Sequence, residues 1–309
     1  MSTGVYQKTA GDVIRSALRD AGIAAVEMPI QAADFALAQT VLNDVLASWQ
    51  ALGQNLWRET EALLPLNPLQ TEYSLGVGGA HCFTSYNYTT ASSAIAAAAV
   101  SIPMASSAGM TIGDFIGIEL ANGTRQWTNI VTIPDSTHVT ITAGGLTSGA
   151  NSGASIYAYT TKIDRPLRIE DVRCATNFTS DEIISTQASR QRYYQTPNKT
   201  NVGSIVSEWY YSPQLTNGKL SVWSPSQNCV TLLRFTFLKP QYVPDDQSEN
   251  VLIPSEWFLP LKWALASELA VTYGIDSNRL VTIQQKAASS LELALSNDSE
   301  DEYFSIQPG

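Results

Sequence analysis

Charge is what this sequence has least of. Only 15% of its 309 residues are Asp, Glu, Lys or Arg, against roughly 25% in ordinary soluble proteins. Much of the surface must therefore be polar without charge, or covered by neighbours. Cations are scarcer still: 18 Lys and Arg face 28 Asp and Glu, for a net charge of -10, and no stretch clusters them. Nucleic-acid binding draws on counterion release at such clusters, so tight DNA binding is disfavoured. The three cysteines, Cys82, Cys174 and Cys229, are widely spaced without any CxxC pair. That argues against a disulfide framework or a zinc site and for small buried apolar residues. With only His81 and His138 and no acidic partner pattern, no metal is expected, and no cofactor signature is present. Long hydrophobic runs are missing as well. The opening MSTGVYQKTAGD has no apolar signal core, and the most apolar run, residues 94–105, is short and contains Pro103. Neither export nor a membrane span is expected, and synthesis as a soluble protein in a cytoplasm-like compartment is.

What is present falls into blocks. Thr9-Ala-Gly-Asp12 resembles a capping box with Asp in place of Glu, and Val13, Ile14, Ala17, Leu18 and Ala21 follow at helical spacing up to Gly22. After Pro29 a longer stripe runs through Ala38, Val41, Leu42, Val45, Leu46, Trp49 and Leu52 to Gly53, with Asp44 the single charge from Val41 to Leu56. Near the other end, Ser255 opens a helical pattern of Phe258, Leu261, Leu265 and Leu269 that stops at Gly274. Leu280, Ile283, Ala287, Leu291 and Leu295 mark a last helix.

Between these helices the texture is β. Residues 91–160 hold just four charged side chains, Asp114, Glu119, Arg125 and Asp135. There Ile116, Ile118 and Leu120 alternate with Phe115, Gly117 and Glu119, Asn122-Gly123 supplies a turn, and Val131 and Ile133 resume the alternation. Further strands are expected at Val139-Ile141 and within residues 155–163. Residues 204–211, 219–223 and 230–238, separated by Asn217-Gly218 and Pro225-Ser226, suit an antiparallel meander. The expected class is α+β: N- and C-terminal helices packed as a bundle, an antiparallel β-meander, and an inserted small all-β domain of immunoglobulin-like or barrel type. The domain reading is a helical core with its meander over 1–90 and 161–297, a β-domain over 91–160, and a flexible acidic tail over 298–309.

Chemistry-bearing motifs are weak. His81-Cys82 after GVGG is a nucleophile-and-base pairing only on paper, since neighbours in extended chain point to opposite sides; a loop is the stronger reading. Asp245, Asp246 and Glu249 lack the spacing and glycine of a calcium loop. Tyr193-Tyr194, Trp209-Tyr210-Tyr211 and Trp223 suggest either cross-strand packing or a platform for sugars or bases, with packing favoured. Trp49 and Trp57, like Leu265 and Leu269, read as packing residues within one chain or at a subunit interface, where Trp is enriched. No catalytic set emerges, and the chain is not expected to be an enzyme.

Six segments carry a resemblance over nearly the whole chain: AGDVIRSALRDAGI, LNDVLASWQALGQNLW, LLPLNPLQTEYSLG, DRPLRIEDVR, RQRYYQTPNKTNVGSIVSEWYYSP and LPLKWALASELAVTYGI. In these the chain resembles the podovirus-type phage head-to-tail adaptors, the packaged-DNA stabilisation or tail accessory factors. The resemblance implies a homo-oligomeric ring, typically of twelve copies, docked to a portal protein and continuing the DNA channel to a tail nozzle or to tail fibres and spikes. DNA would pass without sequence-specific contact, and the location would be the neck of a virion assembled in the host cytoplasm. It also implies a portal-docking role for the tail, with Tyr303, Phe304 and Ile306 as anchors. The alternative is a virion adhesion module binding cell-surface glycan through the β-domain.

Overall fold

A computed structural model describes residues 7–25, 29–50 and 56–297. Helices α1 (Ala10–Ala21) and α2 (Ala32–Trp49) come first. Strands β1 (Glu59–Pro65), β2 (Glu72–Leu75), β3 (Asn87–Thr90), β4 (Ser101–Pro103), β5 (Phe115–Glu119), β6 (Arg125–Asp135), β7 (His138–Ile141), β8 (Ser155–Tyr159), β9 (Arg168–Ala175), β10 (Ile183–Ile184) and β11 (Thr186–Gln187) follow. After these lie α3 (Arg190–Gln195), β12 (Glu208–Ser212), β13 (Gly218–Trp223), β14 (Leu232–Leu238), α4 (Phe258–Thr272) and α5 (Ser277–Asn297). The class is α+β.

Two compact units result, one from the described residues up to Arg58 together with those from Gln241 on, the other from Glu59–Pro240. In the first unit, α1 starts where Thr9 accepts a hydrogen bond from the Asp12 N–H at 3.2 Å. The next orphan donors of that helix end, the N–H groups of Ala10 and Gly11, go to the carbonyls of Glu249 and Gln247, each at 2.8 Å. Gly22, in the left-handed region at φ 79°, closes the helix by donating to the Arg19 carbonyl. Helix α4 packs against α1, α2 and α5. Val13, Ile14, Leu18, Leu42, Leu46, Leu261, Leu265 and Leu269 are sealed from solvent among them. The expected stop of α2 at Gly53, and Leu52 with it, lie outside the described residues. The helix ends at Trp49 with Gln50 as its cap.

The second unit is all β but for α3. Two four-stranded sheets, ordered β1-β14-β9-β10 and β11-β12-β13-β2, face each other across Leu64, Tyr73, Trp209, Leu220, Leu233 and Phe235. The three-strand meander expected from sequence is corrected here. Strands β12 and β13 do form a hairpin, but β14 leaves it and lies antiparallel between β1 and β9. The physical reason is burial: β14 is largely buried along its length, as a central strand must be, and the β1 and β9 alternations that cover it went unassigned. A third sheet, ordered β3-β8-β5-β6-β7-β4, curls until its edges meet, the N–H of Ala105 reaching the Thr90 carbonyl at 2.9 Å. Of the two forms expected for this segment, the curled sheet is the barrel-like one. Ile102, Ile116, Ile118, Ile130, Val139 and Ile156 fill it.

Strand alternation sends the other residues outward. Phe115, Trp127, Tyr157 and Tyr159 leave the curled sheet and pack with Leu63, Phe83, Ala175 and Leu232. The strands at 204–238, grouped with the helices in the sequence reading, therefore share a unit with residues 91–160.

Candidate assembly surface

Helices α2 and α4 are buried on one side and nearly uncharged on the other. Asp34 and Asp44 are the only charged side chains of α2, and Lys262 and Glu268 the only ones of α4. Lys262 is already engaged within the unit, 2.7 Å from Asp20 Oδ2. Outward, α2 shows Ala33, Ala36, Leu37, Thr40 and Ala47, and α4 shows Leu259 and Val271, the latter 57% exposed. A groove of about 260 Å³ runs between the two helices along Val41, Asp44, Val45, Glu268 and Thr272. Helix α5 adds exposed Val281 and Leu293. Its cation Lys286 and its neighbour Lys262 flank the Trp263 ring at 4.5 and 4.6 Å. Chemically this surface offers apolar area, the hydroxyls of Ser48 and Thr272, and acidic rims at Asp44 and Glu268.

The predicted interface residues separate. Leu265 and Leu269 are fully buried within the unit, and Trp49 is 7% exposed, its ring 5.2 Å from Trp257 in an edge-to-face contact. Trp57 sits in a short 3₁₀ turn, Leu56–Arg58, half-buried against the same core. Its indole Nε1 is buried without a partner among the described residues. Tyr303, Phe304 and Ile306 lie outside the described residues.

Weaker motifs take structural roles. His81 and Cys82 do point to different sides: Cys82 enters the core between the two four-stranded sheets, where burial pushes its thiol up. The His81 ring stacks on Trp127, centroids 4.1 Å apart, with Nδ1 2.5 Å from the Tyr159 hydroxyl. Burial, with the Lys162 ammonium adding to it, lowers His81 to about 4. His138 opens β7 just after the β6–β7 turn, 3.1 Å from Asp135. In the acidic loop, Glu249 accepts from the Tyr242 hydroxyl and the Asp245 N–H at 2.7 and 2.9 Å, and Asp246 from Ser248. Those carboxylates are spent on the loop itself, and no metal-ligating cluster occurs among the described residues. All three cysteines are free and buried. The aromatic platform is divided: Trp209 and Tyr193 are buried, the Tyr211 hydroxyl donates to the Pro166 carbonyl, and Tyr194 stands 55% exposed. Among the described residues no helix is long and apolar enough to cross a membrane.

No protein-family model matches this chain, and none of the curated proteins does. Among solved structures, the chain has a slight likeness to VP17, a capsid protein of bacteriophage P23-77. It amounts to 12% identity over 62% of this chain and 77% of that one, at a TM-score of 0.12. At that score the likeness carries no argument about fold or role.

Proposed function

We propose that this protein is a structural component of a tailed-phage virion, an adaptor that forms a ring below a portal protein, extends the DNA channel and offers a platform to tail components. One observation carries the reading: the exposed side chains of α2 and α4 include Leu37, Leu259 and Val271 among small and polar ones, and only Asp44 and Glu268 of them are charged. A surface so poor in charge suits burial against another copy, and in a ring each copy covers the next through heterologous contacts. The sequence resemblance supports the same assignment. So does the net charge of -10, because a lining that repels phosphates lets DNA slide where a basic one grips it. In this reading no chemical step belongs to the chain. The test is to mix the purified protein with its portal and record particle mass and negative-stain images. A ring sharing the portal's axis is expected, and particles of bare portal beside free monomer would refute the assignment.

A further inference from the structure

Outward residues of β3, β5 and β8 meet the loop at 177–179 around a cavity of about 200 Å³ whose lining includes Tyr88, Glu119, Ser155, Tyr157, Asn177 and Phe178. Behind its wall stands Arg125, 8% exposed. The guanidinium lies 4.7 Å from the Tyr157 ring centroid and donates to Ser155 Oγ at 2.8 Å, while its Nε is buried with no acceptor among the described residues. Ser155 in turn donates its hydroxyl and its N–H to Glu119 Oε2, at 2.8 and 3.0 Å. A serine thus links a buried cation to a carboxylate that faces the cavity.

The groups left over converge. Glu119 Oε1 takes no hydrogen bond among the described residues. Asn177 is held by its Oδ1, which accepts from the N–H and hydroxyl of Thr179 at 2.9 and 3.0 Å, so its Nδ2 donors are unspent. The Tyr88 and Phe178 rings stack at 3.8 Å beside them. Charge decides what fits. Glu119 repels an anion and Arg125 repels a cation, and together they leave the site close to neutral. An acceptor and an amide donor beside an aromatic lining suit a small ring that carries both hydroxyls and C–H groups. The volume is below the ~300 Å³ at which drug-sized pockets begin, which limits the occupant to about one ring.

We propose that this cavity binds one neutral sugar ring, as a free glycoside or as the end of a glycan. Glu119 and Asn177 bond its hydroxyls, the rings of Tyr88, Tyr157 and Phe178 line the apolar side of the cavity against its C–H groups, and Arg125 positions Glu119 through Ser155. The site stands apart from the adaptor reading, and either can fail alone. Its test uses the full chain and saturation-transfer NMR with the methyl glycosides of glucose, galactose, mannose and N-acetylglucosamine. At least one is expected to bind with a Kd on the order of millimolar, as befits a small solitary ligand. Glu119→Gln and Asn177→Asp are each expected to weaken that binding at least tenfold, Asn177→Asp without moving the thermal midpoint. Asn177 is exposed, so Asn177→Asp keeps the test decisive even if Glu119→Gln misfolds. Silence from all four glycosides, equal binding by both variants, or displacement of the bound glycoside by choline or inorganic phosphate would overturn the proposal.

Discussion

Gly117 lacks a side chain because Trp127 occupies the space one would fill. A Cβ built there meets the indole ring at 2.5 Å, and Trp127 is the ring on which His81 stacks. Gly117→Ala is expected to lower stability by about 1–3 kcal/mol, the usual range for overpacking, as read by urea unfolding. His81 makes a pH prediction. Its folded value of about 4 lies below the ordinary histidine value of about 6.5. The unfolded chain therefore binds more protons between those limits. The contribution of neutral His81 is whole above about pH 6.5 and is lost as pH falls towards 4. His81→Gln should flatten the pH dependence of the urea midpoint across that window. At this scale the sequence also carried a repeated turn signal. Asn122, Asn177 and Asn198 stand in Asn-x-Thr triplets, and each side chain accepts a hydrogen bond from the threonine hydroxyl two residues on. These are turns, built from the local bonding that Asn and Thr favour.

The helices were legible because their signals are local. Thr9, Asp12 and Gly22 set the ends of α1 by hydrogen bonds within a few residues of themselves. Thr9→Ala is expected to cost about 1 kcal/mol in the helical unit. Strands were legible where a turn signal flanked alternation, as at β5, β6 and β13, and were missed at β1, β2 and β9. Those three lack a marked hairpin turn, and each has a partner far away in sequence, β14 for β1 and β9 and β13 for β2. The short helix α3, capped by Ser189, was missed because six residues show no period. Packing within α2 gives a sharper expectation. Trp49→Ala should destabilise the helical unit by about 3–5 kcal/mol, since it empties the space against Trp257, with the loss seen in chemical denaturation monitored by helical circular dichroism.

For the whole molecule, the proposed ring turns on surface that the monomer does not use. Leu37→Asp and Val271→Asp are expected to leave monomer stability within about 0.5 kcal/mol, because both side chains are exposed. Both should reduce ring formation on the portal, measured as the fraction of portal particles that gain mass. The same side chains replaced by alanine would keep an uncharged surface and most of the assembly. Removal of residues 298–309, with the proposed portal anchors Tyr303, Phe304 and Ile306, should lower affinity for the portal, measured as the fraction of portal particles that gain mass.

By itself the sequence determined the α+β class, the helices at both ends and the hairpin at Asn122-Gly123. Each of these rests on periodicity, on a turn residue or on composition, which act over a few positions. Only the tertiary structure decided that β14 leaves its expected hairpin for β1 and β9, that the insertion closes on itself, and that Tyr157 and Tyr159 join it to the neighbouring sheets. It alone brought Ser155, Glu119 and Asn177 to one cavity with Arg125 behind its wall. Such pairings depend on which of many similar alternating strands meet, and an outward-facing tyrosine reads the same in sequence whether it meets water or another sheet.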